Sequence, residues 1–542
     1  MATATATPEV FTRKASGLVR VMSPYSAFVY NILTMGLIFP WTYLWAPGAL
    51  PGGKLVWGIL LAMVIEIPIA FVYVWLSTAL PRSGGDYVFQ SRVFGGGVAF
   101  TVVMSGYVIW ILQWVALSGW LLAYLGFAPL FLGLGATMGS ASMSSIGVWF
   151  TTPTGIIITS IVNAAAAVGL LVSGFKNYVR FQYVMWYGTL LAFAVMLIVL
   201  FSVTPVTAIP RIDAFAVASG GTAGFTATAS AAAEAAGVSL NPPFSLLATL
   251  LVAPIAWTSL QWATYSAQQN GEIKEARSFS NQVFIIVGSL IVTGILLALL
   301  ALALERAVGT DFLYVAGSGY WAGVTEAKIS GFWLWPNIIA VALTASPLIV
   351  LIIGVGYILN SFQIVNNCYI GMTRVMVAMS LDRLLPEWVS KVDDRLHTPV
   401  NAHVAYFLAS IPVILVYNLW GPWYGLTLGV TFACGYVFVI TCLAGALLPY
   451  RAKEVYEASP GAKYNLGSVP LVTVLGLTGF VFGAIMVLMF MLYPALGLTS
   501  QLAYTVVFGV LVVSAVWYIL AKNTQKARGI NVEYAFKEIP PE

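Results

Sequence analysis

The feature that most constrains this chain is a series of long apolar runs separated by short polar or Gly/Pro-rich segments. A bilayer core about 30 Å thick needs roughly 20 apolar residues per helix, and the runs have that length. Of the 542 residues, 60% are hydrophobic and only 8% are charged, which is more apolar surface than one soluble core can bury. The sequence therefore predicts an all-α integral membrane protein. The predicted spans are residues 24–45, 54–79, 96–127, 153–174, 179–203, 245–267, 281–304, 336–370, 399–419, 424–448, 469–494 and 500–521.

The lysine and arginine residues predict the orientation in the membrane. Twelve spans put both termini on one side, and all of the 24 Lys and Arg residues except Lys54, Arg211, Arg306 and Lys328 fall in segments on that side. Cationic loops are retained in the cytoplasm during insertion, so both termini are predicted to face the cytoplasm, with the chain in the cell membrane. The cations are scattered between apolar runs, which argues against a nucleic-acid partner.

The Ala-rich stretch at 204–244 resembles a thirteenth span only at first sight. Its Gly, Ser and Thr content makes it poorly apolar, and a span there would move Lys274, Arg277 and the loop around Arg383 to the outer side. We predict an extended extracellular loop that is partly helical.

Few residues of this chain are of the types that bind metals or catalyse reactions. Cys368, Cys434 and Cys442 lie in apolar runs without metal-ligand spacing, and His397 and His403 have no carboxylate or cysteine cluster around them. The sequence predicts no metal site, no cofactor and no catalytic residue, and the scarcity of His, Asp and Glu inside the spans argues against an enzyme. A channel would show a pore loop or charged rings, which the sequence lacks.

Two spans carry signs of interruption. In the first, "YNILTMGLIFP" places Gly36 between Thr34 and Pro40, so the backbone near Met35 can leave the helix and expose N–H groups to a carboxylate. In the sixth, "APIAWTSLQWATYSAQQNG" becomes polar from Thr258 onward. These are corresponding positions of two five-helix halves, where transporters bind solutes. Small-residue packing with paired polar groups is the alternative for each break.

Three loop motifs, in this order, resemble those of the amino acid–polyamine–organocation permease superfamily. They are "PRSGGDYVFQSRVFG" after the second span, "GEIKEA" from Gly271 after the sixth, and "TRVMVAMSLDRLLPEW" from Thr373 after the eighth. Ala276 stands where the family has proline, and Arg383 stands where it has glycine. The matched positions of the first loop are Pro81, Gly84, Gly85 and Tyr87. The loop charges are expected to face the cytoplasm.

The resemblance implies a leucine-transporter-like fold, with two inverted five-helix repeats, two further helices and alternating access. The implied organisation is a cytoplasmic tail at 1–23, the first repeat at 24–203, an extracellular loop at 204–244, the second repeat at 245–448, helices 11 and 12 at 449–521, and a cytoplasmic tail at 522–542.

The resemblance also implies where the substrate site of the family lies in this chain. Its carboxylate-binding Gly-Ser-Gly break falls on residues 34–36, with Asn31 as an added polar contact, and residues 258–262 offer carbonyls to a substrate ammonium. Trp257 or Trp262 would close over the side chain, with Cys368 beside the pocket. The implied substrate-binding residues are Asn31, Thr34, Met35, Gly36, Tyr107, Thr258, Ser259, Gln261, Trp262 and Asn367.

Glu66 is the one acidic residue inside the predicted spans, and it is the candidate proton carrier. The alternative is that Glu66, two residues before Pro68, only forms hydrogen bonds with neighbouring backbone groups. Some proton-coupled relatives use a lysine within the fifth helix, whereas here the only cations near that span are Lys176 and Arg180 at its cytoplasmic end. A sodium site would need hard oxygen ligands, and Ser361 is the only Ser or Thr at 359–372.

These patterns together predict a secondary active transporter of neutral amino acids, because the pocket segments carry no charge that would match a charged side chain. Proton symport or exchange is favoured. A sodium-coupled symporter and a non-transporting nutrient receptor remain alternatives. The sequence predicts neither the particular amino acid nor the oligomeric state.

Overall fold

The computed structural model describes residues 16–38, 40–424, 427–497 and 500–537. The greater part of the predicted N-terminal tail, residues 1–15, and the end of the C-terminal tail, residues 538–542, lie outside the described residues. So do Phe39 in the first predicted span and residues 425–426 in the tenth.

The described chain is helical almost throughout. The helices up to the long outer loop are α1 (Pro24–Met35), α2 (Thr42–Ala49), α3 (Leu55–Ala79), α4 (Gly85–Phe94), α5 (Gly96–Val103), α6 (Ile111–Leu121), α7 (Ala128–Met138), α8 (Ala141–Trp149), α9 (Pro153–Val172) and α10 (Phe175–Phe201). The later helices are α11 (Pro205–Ala218), α12 (Phe225–Ala235), α13 (Leu246–Leu260), α14 (Phe279–Gln282), α15 (Ser289–Val308), α16 (Thr310–Trp321), α17 (Pro336–Ala342), α18 (Pro347–Leu381), α19 (Val400–Leu419), α20 (Gly421–Tyr424), α21 (Thr427–Arg451), α22 (Lys453–Glu457), α23 (Leu471–Leu492) and α24 (Gln501–Ala527).

Short segments of other geometry join these helices. Segments of π-helix lie at Met104–Ile109, Leu122–Phe127 and Val283–Gly288. Segments of 3₁₀ helix lie at Gln261–Glu272, Thr325–Ala327, Glu387–Ser390, Pro494–Leu496 and Val532–Lys537. Two small antiparallel hairpins pair β1 (Lys328–Ile329) with β2 (Phe332–Trp333) and β3 (Asn465–Leu466) with β4 (Val469–Pro470).

Within the described ranges, eleven helices are long and apolar enough to cross a membrane. They correspond to the second to twelfth predicted spans. The first span is divided into α1 and α2, so neither half reaches that length by itself. The predicted all-α membrane fold is confirmed.

The largest differences from the predicted span boundaries are in the third and eighth spans, and the eighth helix also continues to Leu381, beyond the predicted end at residue 370. The third span is longer than predicted, since α5, α6 and α7 continue one another through two π segments from Gly96 to Met138. The eighth helix begins at Pro347 and not at residue 336, because the Ser346 side chain caps a new helix there and Pro347 occupies its first turn. Residues 336–342 form the separate helix α17 instead.

The region predicted as an extended outer loop contains α11 and α12. Neither helix is long enough to be counted among the candidate spans. Arg211 on α11 donates a hydrogen bond to the Leu343 carbonyl after α17, at 3.1 Å, so this region is attached to the bundle.

The helix contacts repeat between the two halves of the bundle. The fifth span (α10) packs on the eighth (α18). In the other half the tenth span (α21) corresponds to the fifth, and the third corresponds to the eighth. The tenth and third spans also pack on each other. Likewise, the second span packs on the sixth (α3 on α13), and the seventh packs on the first (α15 on α1). Such exchange is what two five-helix repeats produce. Of the last two helices, α23 packs on α21 and α3, and α24 packs on α5.

Both described ends of the chain lie at one end of the bundle, here called the terminal side. Met22 forms a β-bridge with Ile273 at the end of the sixth span, and the Ala535 carbonyl accepts a hydrogen bond from Arg92 on α4. The loops that carry the three sequence motifs lie on this side. The end with α2, α16 and the β1–β2 hairpin is called the opposite side.

Candidate functional site

The first span is interrupted where the sequence predicted. Helix α1 ends at Met35, and Gly36 caps it in the left-handed conformation with φ +77°, which glycine adopts without strain. The N–H groups of Thr34 and Met35 belong to the helix, and that of Gly36 donates to Ile32. The free donors come next in the chain, because the N–H groups of Leu37 and Ile38 find no acceptor among the described residues.

The second helix of this span begins close to the break. Among the described residues no side chain caps α2 at Trp41, and the first N–H groups of an uncapped helix have no partner within the helix. The gap between α1 and α2 therefore has backbone carbonyls at one end and backbone N–H groups at the other. Helix dipoles make the first end partially negative and the second partially positive.

The sixth span changes its geometry instead of unwinding. Thr258 and Ser259 still belong to α13, but from Gln261 to Glu272 the chain is a 3₁₀ helix with a non-helical residue at Gln269. Runs of 3₁₀ helix longer than three or four residues are uncommon, and within a helix they often mark a functional hinge.

Asn31 joins the two interrupted spans. Its Oδ1 accepts from the Ser266 backbone N–H at 2.8 Å, while its Nδ2 donates to the Ser266 hydroxyl at 3.0 Å and to the Ile285 carbonyl at 3.1 Å. These bonds occupy the amide, which is fully buried. Asn31 therefore holds the first, sixth and seventh spans together and has little capacity left for a ligand.

Thr34 and Asn367 are brought together beside the first break. Asn367 donates to the Thr34 hydroxyl at 2.6 Å, and its carbonyl oxygen accepts from Tyr178 at 3.1 Å and from Gln363 at 2.5 Å. The first, fifth and eighth spans are thereby linked by one polar network. Cys368 lies buried next to it.

Aromatic rings surround Trp262 on the 3₁₀ segment. Its ring centroid lies 6.1 Å from that of Tyr107, 5.9 Å from Trp114 and 5.3 Å from Tyr265. Phe438 on the tenth span lies 5.9 Å from both Trp262 and Tyr107. The third, sixth and tenth spans thus build one aromatic wall.

Polar atoms within this wall have no hydrogen-bond partner in the described part of the chain. They are the hydroxyls of Tyr107 and Tyr265, the indole nitrogen of Trp114 and the side-chain oxygen of Gln261. A buried polar atom without a partner is costly, so several of them in one place indicate a site that a ligand completes. Met35, Thr258 and Ser259 are buried around the same region.

Glu66 lies behind this wall and not in it. Its Oε2 accepts from the Trp257 indole N–H at 2.6 Å, while its Oε1 has no partner within the described ranges. The family resemblance implied that Trp257 or Trp262 closes over the side chain of a ligand, but the Trp257 indole points to Glu66. The centroid of the Trp257 ring lies 6.2 Å from that of Phe438.

Lys274 and Glu275 in the second loop motif are exposed, as expected of loop charges, but for several other charges in these motifs the expectation was wrong. The carboxylates of Asp86, Glu272 and Asp382 are fully buried on the terminal side. Arg374 binds Glu272 with two bonds of 2.7 and 2.9 Å, and Arg92 binds Asp382 at 2.9 Å. Glu66 is thus one of several buried carboxylates. In the sequence, the feature that could have indicated this burial is the position of Asp86, Glu272 and Asp382 inside the three loop motifs.

The opposite side is closed by rings. Trp335 is fully buried and contacts Trp41 at 4.8 Å between centroids, while Trp120 stacks on Tyr124 at 4.6 Å. The Tyr124 hydroxyl donates to the Gly331 carbonyl in the β1–β2 hairpin at 2.7 Å. The region between the two breaks is therefore covered at both ends of the bundle.

Two comparisons with known proteins give the family of the chain and one partial relative. A family model described as amino acid permease matches residues 25–513. An uncharacterized protein, number 399, of Sulfolobus islandicus rod-shaped virus 1 is 31% identical over 102 residues, which is 17% of this chain and 26% of that protein. The chain thus spans about a quarter of the length of this curated relative, and the similarity assigns no activity.

Proposed function

Because the chain belongs to the amino acid permease family, we propose that it is a secondary active transporter that carries amino acids across the cytoplasmic membrane by alternating access. One observation carries this proposal, namely that the N–H groups of Leu37 and Ile38 at the break of the first span find no acceptor in the part of the chain that the structure describes. Buried backbone N–H groups are nearly always paired, so two free ones in succession favour an anionic ligand group at this point.

The two ends of the gap suit a zwitterion. The carboxylate of an α-amino acid is stabilised by the N–H groups of Leu37 and Ile38 and by the N-terminal end of α2. Its ammonium is stabilised by carbonyls at the C-terminal end of α1 and at the joint between α13 and the 3₁₀ segment. This differs from the motif-based expectation by moving the carboxylate one to two residues beyond Gly36.

The aromatic wall supports a neutral substrate. The rings of Tyr107, Trp262 and Phe438 contact one another and offer apolar faces. A charged substrate side chain would have to lose its hydration against these rings, which is costly. We therefore place the side chain of a neutral amino acid against Trp262, near the hydroxyls of Tyr107 and Tyr265, which have no hydrogen-bond partner within the described ranges.

Proton coupling is proposed at Glu66. Its carboxyl is buried, forms no ion pair within the described ranges, and is bonded to Trp257, the residue before Thr258 in the sixth span. Gain or loss of a proton at Glu66 changes the Trp257 bond, which links the proton to the position of the substrate-binding span. Exchange without net proton movement and sodium coupling are the competing modes.

The terminal side is proposed to face the cytoplasm. Of the Lys and Arg residues in the described ranges, all but four lie on this side, and cationic segments stay on the cytoplasmic side. A tag placed after Glu542 should be accessible to an antibody only after cells are permeabilised. Labelling of intact cells would contradict this orientation.

The decisive experiment is uptake of labelled neutral amino acids into proteoliposomes under an imposed proton gradient, a sodium gradient, or neither. We expect accumulation under the inward proton gradient alone, and we expect Glu66→Gln to abolish that accumulation while exchange against preloaded amino acid stays measurable. Accumulation driven by sodium would overturn the role of Glu66. Saturable binding without uptake or exchange under every condition would identify a nutrient receptor instead.

A further inference from the structure

Asp86 is a buried carboxylate held entirely by neutral donors. The Tyr73 hydroxyl and the Thr441 hydroxyl both donate to its Oδ1, the latter at 2.5 Å, and Gln268 Nε2 donates to its Oδ2 at 2.5 Å. These partners lie on the second, tenth and sixth spans, whereas Asp86 itself lies in the first turn of α4, between spans. One carboxyl group therefore connects four elements on the terminal side.

No cation balances this carboxylate among the described residues. The guanidinium groups of the buried residues Arg92 and Arg374 are engaged elsewhere, since Arg92 binds Asp382 and Arg374 binds Glu272. The titratable groups that face Asp86 are Tyr73 on the second span, Tyr107 on the third, Tyr265 on the sixth and Cys442 on the tenth. Phenols and thiols are neutral near pH 7, so the charge of Asp86 depends on its own proton.

Gln268 provides a hydrogen bond for either protonation state. Its Oε1 is buried and has no partner within the described ranges, whereas its Nε2 is bound to Asp86. A half-turn of the amide exchanges the two atoms, because the amide carries a donor and an acceptor at equivalent positions. The amide then accepts from a protonated carboxyl as readily as it donates to an ionised one.

The segment that carries Gln268 must move if the terminal side opens. The Gln268 carbonyl accepts from the Gly84 N–H at 2.8 Å, and a Cβ at Gly85 would lie 2.5 Å from Gln268 Oε1, so α4 and the 3₁₀ segment are in close contact. Four residues later the Glu272 carbonyl accepts from Val21 and Met22 at the start of the first span. Separation of the 3₁₀ segment from α4 would expose Asp86 to water.

We propose that Asp86 is a proton-binding site whose proton is held while the 3₁₀ segment of the sixth span is packed on α4 and is released when the terminal side opens, an inference that rests on the proposed transport function. The ligand is a single proton, and no covalent step is involved. The site is separate from Glu66, which bonds to Trp257 behind the aromatic wall. Asp86 would thereby link substrate release to the pH of the compartment on the terminal side.

The burial of Asp86 determines the direction in which pH shifts the balance between the closed and open states. Loss of solvation raises the pKa of Asp86 above its ordinary value, and the bonds from Thr441, Tyr73 and Gln268 oppose this only in part. The closed state therefore binds the proton more tightly than an open state in which the carboxyl is hydrated. As the pH rises from the ordinary aspartate value of about 3.9 through the raised pKa, the closed state loses this stabilisation and opening is favoured.

The test is exchange of labelled against unlabelled neutral amino acid in proteoliposomes with the same pH on both sides, between about pH 5 and about pH 8. We expect the exchange rate of the native chain to rise by about fivefold or more with pH, since one titrating group can change a population up to tenfold per pH unit. Asp86→Asn, which cannot ionise, should exchange at the slow acidic rate with a flat pH profile.

Two further variants keep the test decisive if Asp86→Asn folds poorly. Thr441→Val keeps the shape but removes one donor from the carboxylate, so the pH midpoint should move upward. The matched control is Asp393→Asn, in an exposed loop of the terminal side where the Leu396 and Arg395 N–H groups lower the pKa of Asp393, and it should leave the profile unchanged. No exchange by the native chain at any pH would contradict the transport function itself. Exchange with a flat native profile, or a midpoint unmoved by Thr441→Val, would overturn the role of Asp86 alone.

Discussion

The two sides of the central site are closed by opposite kinds of chemistry, with buried charges on the terminal side and aromatic rings on the opposite side. On the terminal side, Arg374 and Glu272 are both fully buried and share two bonds of 2.7 and 2.9 Å. Arg92 binds Asp382 in the same way at 2.9 and 3.3 Å. These bonds join α4, α18 and the end of the sixth span at fixed distances.

On the opposite side the closure is mostly apolar. Trp41, Trp120 and Tyr320 meet there, with ring centroids 5.3 to 6.1 Å apart. Trp333 crosses Tyr320 at 5.1 Å and tilts against Tyr124 at 5.5 Å. Interplanar angles in this cluster range from nearly parallel to nearly perpendicular, so no single stacking geometry is imposed.

The difference concerns how each side can open. A buried ion pair is strongly destabilised once either partner is alone, so intermediate arrangements on the terminal side are disfavoured. Aromatic pairs have several geometries of similar energy, and each is worth only about 0.5–1.5 kcal/mol beyond its buried area. We therefore expect all-or-none opening on the terminal side and gradual loosening on the opposite side.

The largest effect is expected for Arg374→Met. It leaves the Glu272 carboxylate buried without its cation, which should cost about 3–5 kcal/mol of the free energy of unfolding. The measurement is thermal unfolding of the purified protein in detergent, followed by the loss of the monodisperse peak in size-exclusion chromatography. A variant as stable as the native chain would show that this pair does not hold the terminal side closed.

The double variant Arg374→Met with Glu272→Gln is the matched control. Because no charge then remains unpaired, it should recover most of the lost stability. The comparison between the two sides predicts that exchange by this double variant is faster than native, since the terminal side opens without breaking an ion pair. Equal destabilisation of the single and double variants would indicate lost packing and not an unpaired charge.

A smaller effect is expected for Trp335→Leu on the opposite side. The indole is fully buried, and its replacement leaves a cavity that neighbouring rings can partly fill, so the cost should be about 2–3 kcal/mol. Exchange of amide hydrogens, measured by mass spectrometry, should increase in the β1–β2 hairpin and in α2 but not in α4. Increased exchange in α4 would contradict independent closure of the two sides.

Much of the fold could be predicted because lipid leaves few options. Spans of about 20 apolar residues, the cationic loops and the Gly36 break follow from bilayer thickness, insertion and backbone sterics. The start of the eighth helix was missed because residues 336–346 are as apolar as a span. Helix α17 ends at Ala342, and the cap at Ser346 with Pro347 begins α18 as a new helix.

The site was less predictable, because the partner of a polar side chain depends on distant spans. Asn31 was expected to contact a ligand, yet its partners Ser266 and Ile285 lie more than 200 residues away. Asp86 was read as a loop charge, since nothing local shows that Thr441 and Gln268 will bury it. Residue type and spacing indicate where a helix breaks, but tertiary contacts decide which polar groups remain free.

The smallest effect is expected for Tyr124→Phe, which tests whether any polar bond matters on the ring-closed side. The hydroxyl donates to the Gly331 carbonyl at 2.7 Å and accepts from the Trp333 N–H at 3.2 Å, while its ring stays stacked on Trp120. Its removal should cost about 1 kcal/mol, the net value of an ordinary hydrogen bond, and should leave the pH profile of exchange unaltered. The measurement is thermal unfolding beside Arg374→Met in the same detergent. A loss as large as that of Arg374→Met would mean that the opposite side is also held by a polar latch, and the contrast between the two sides would fail.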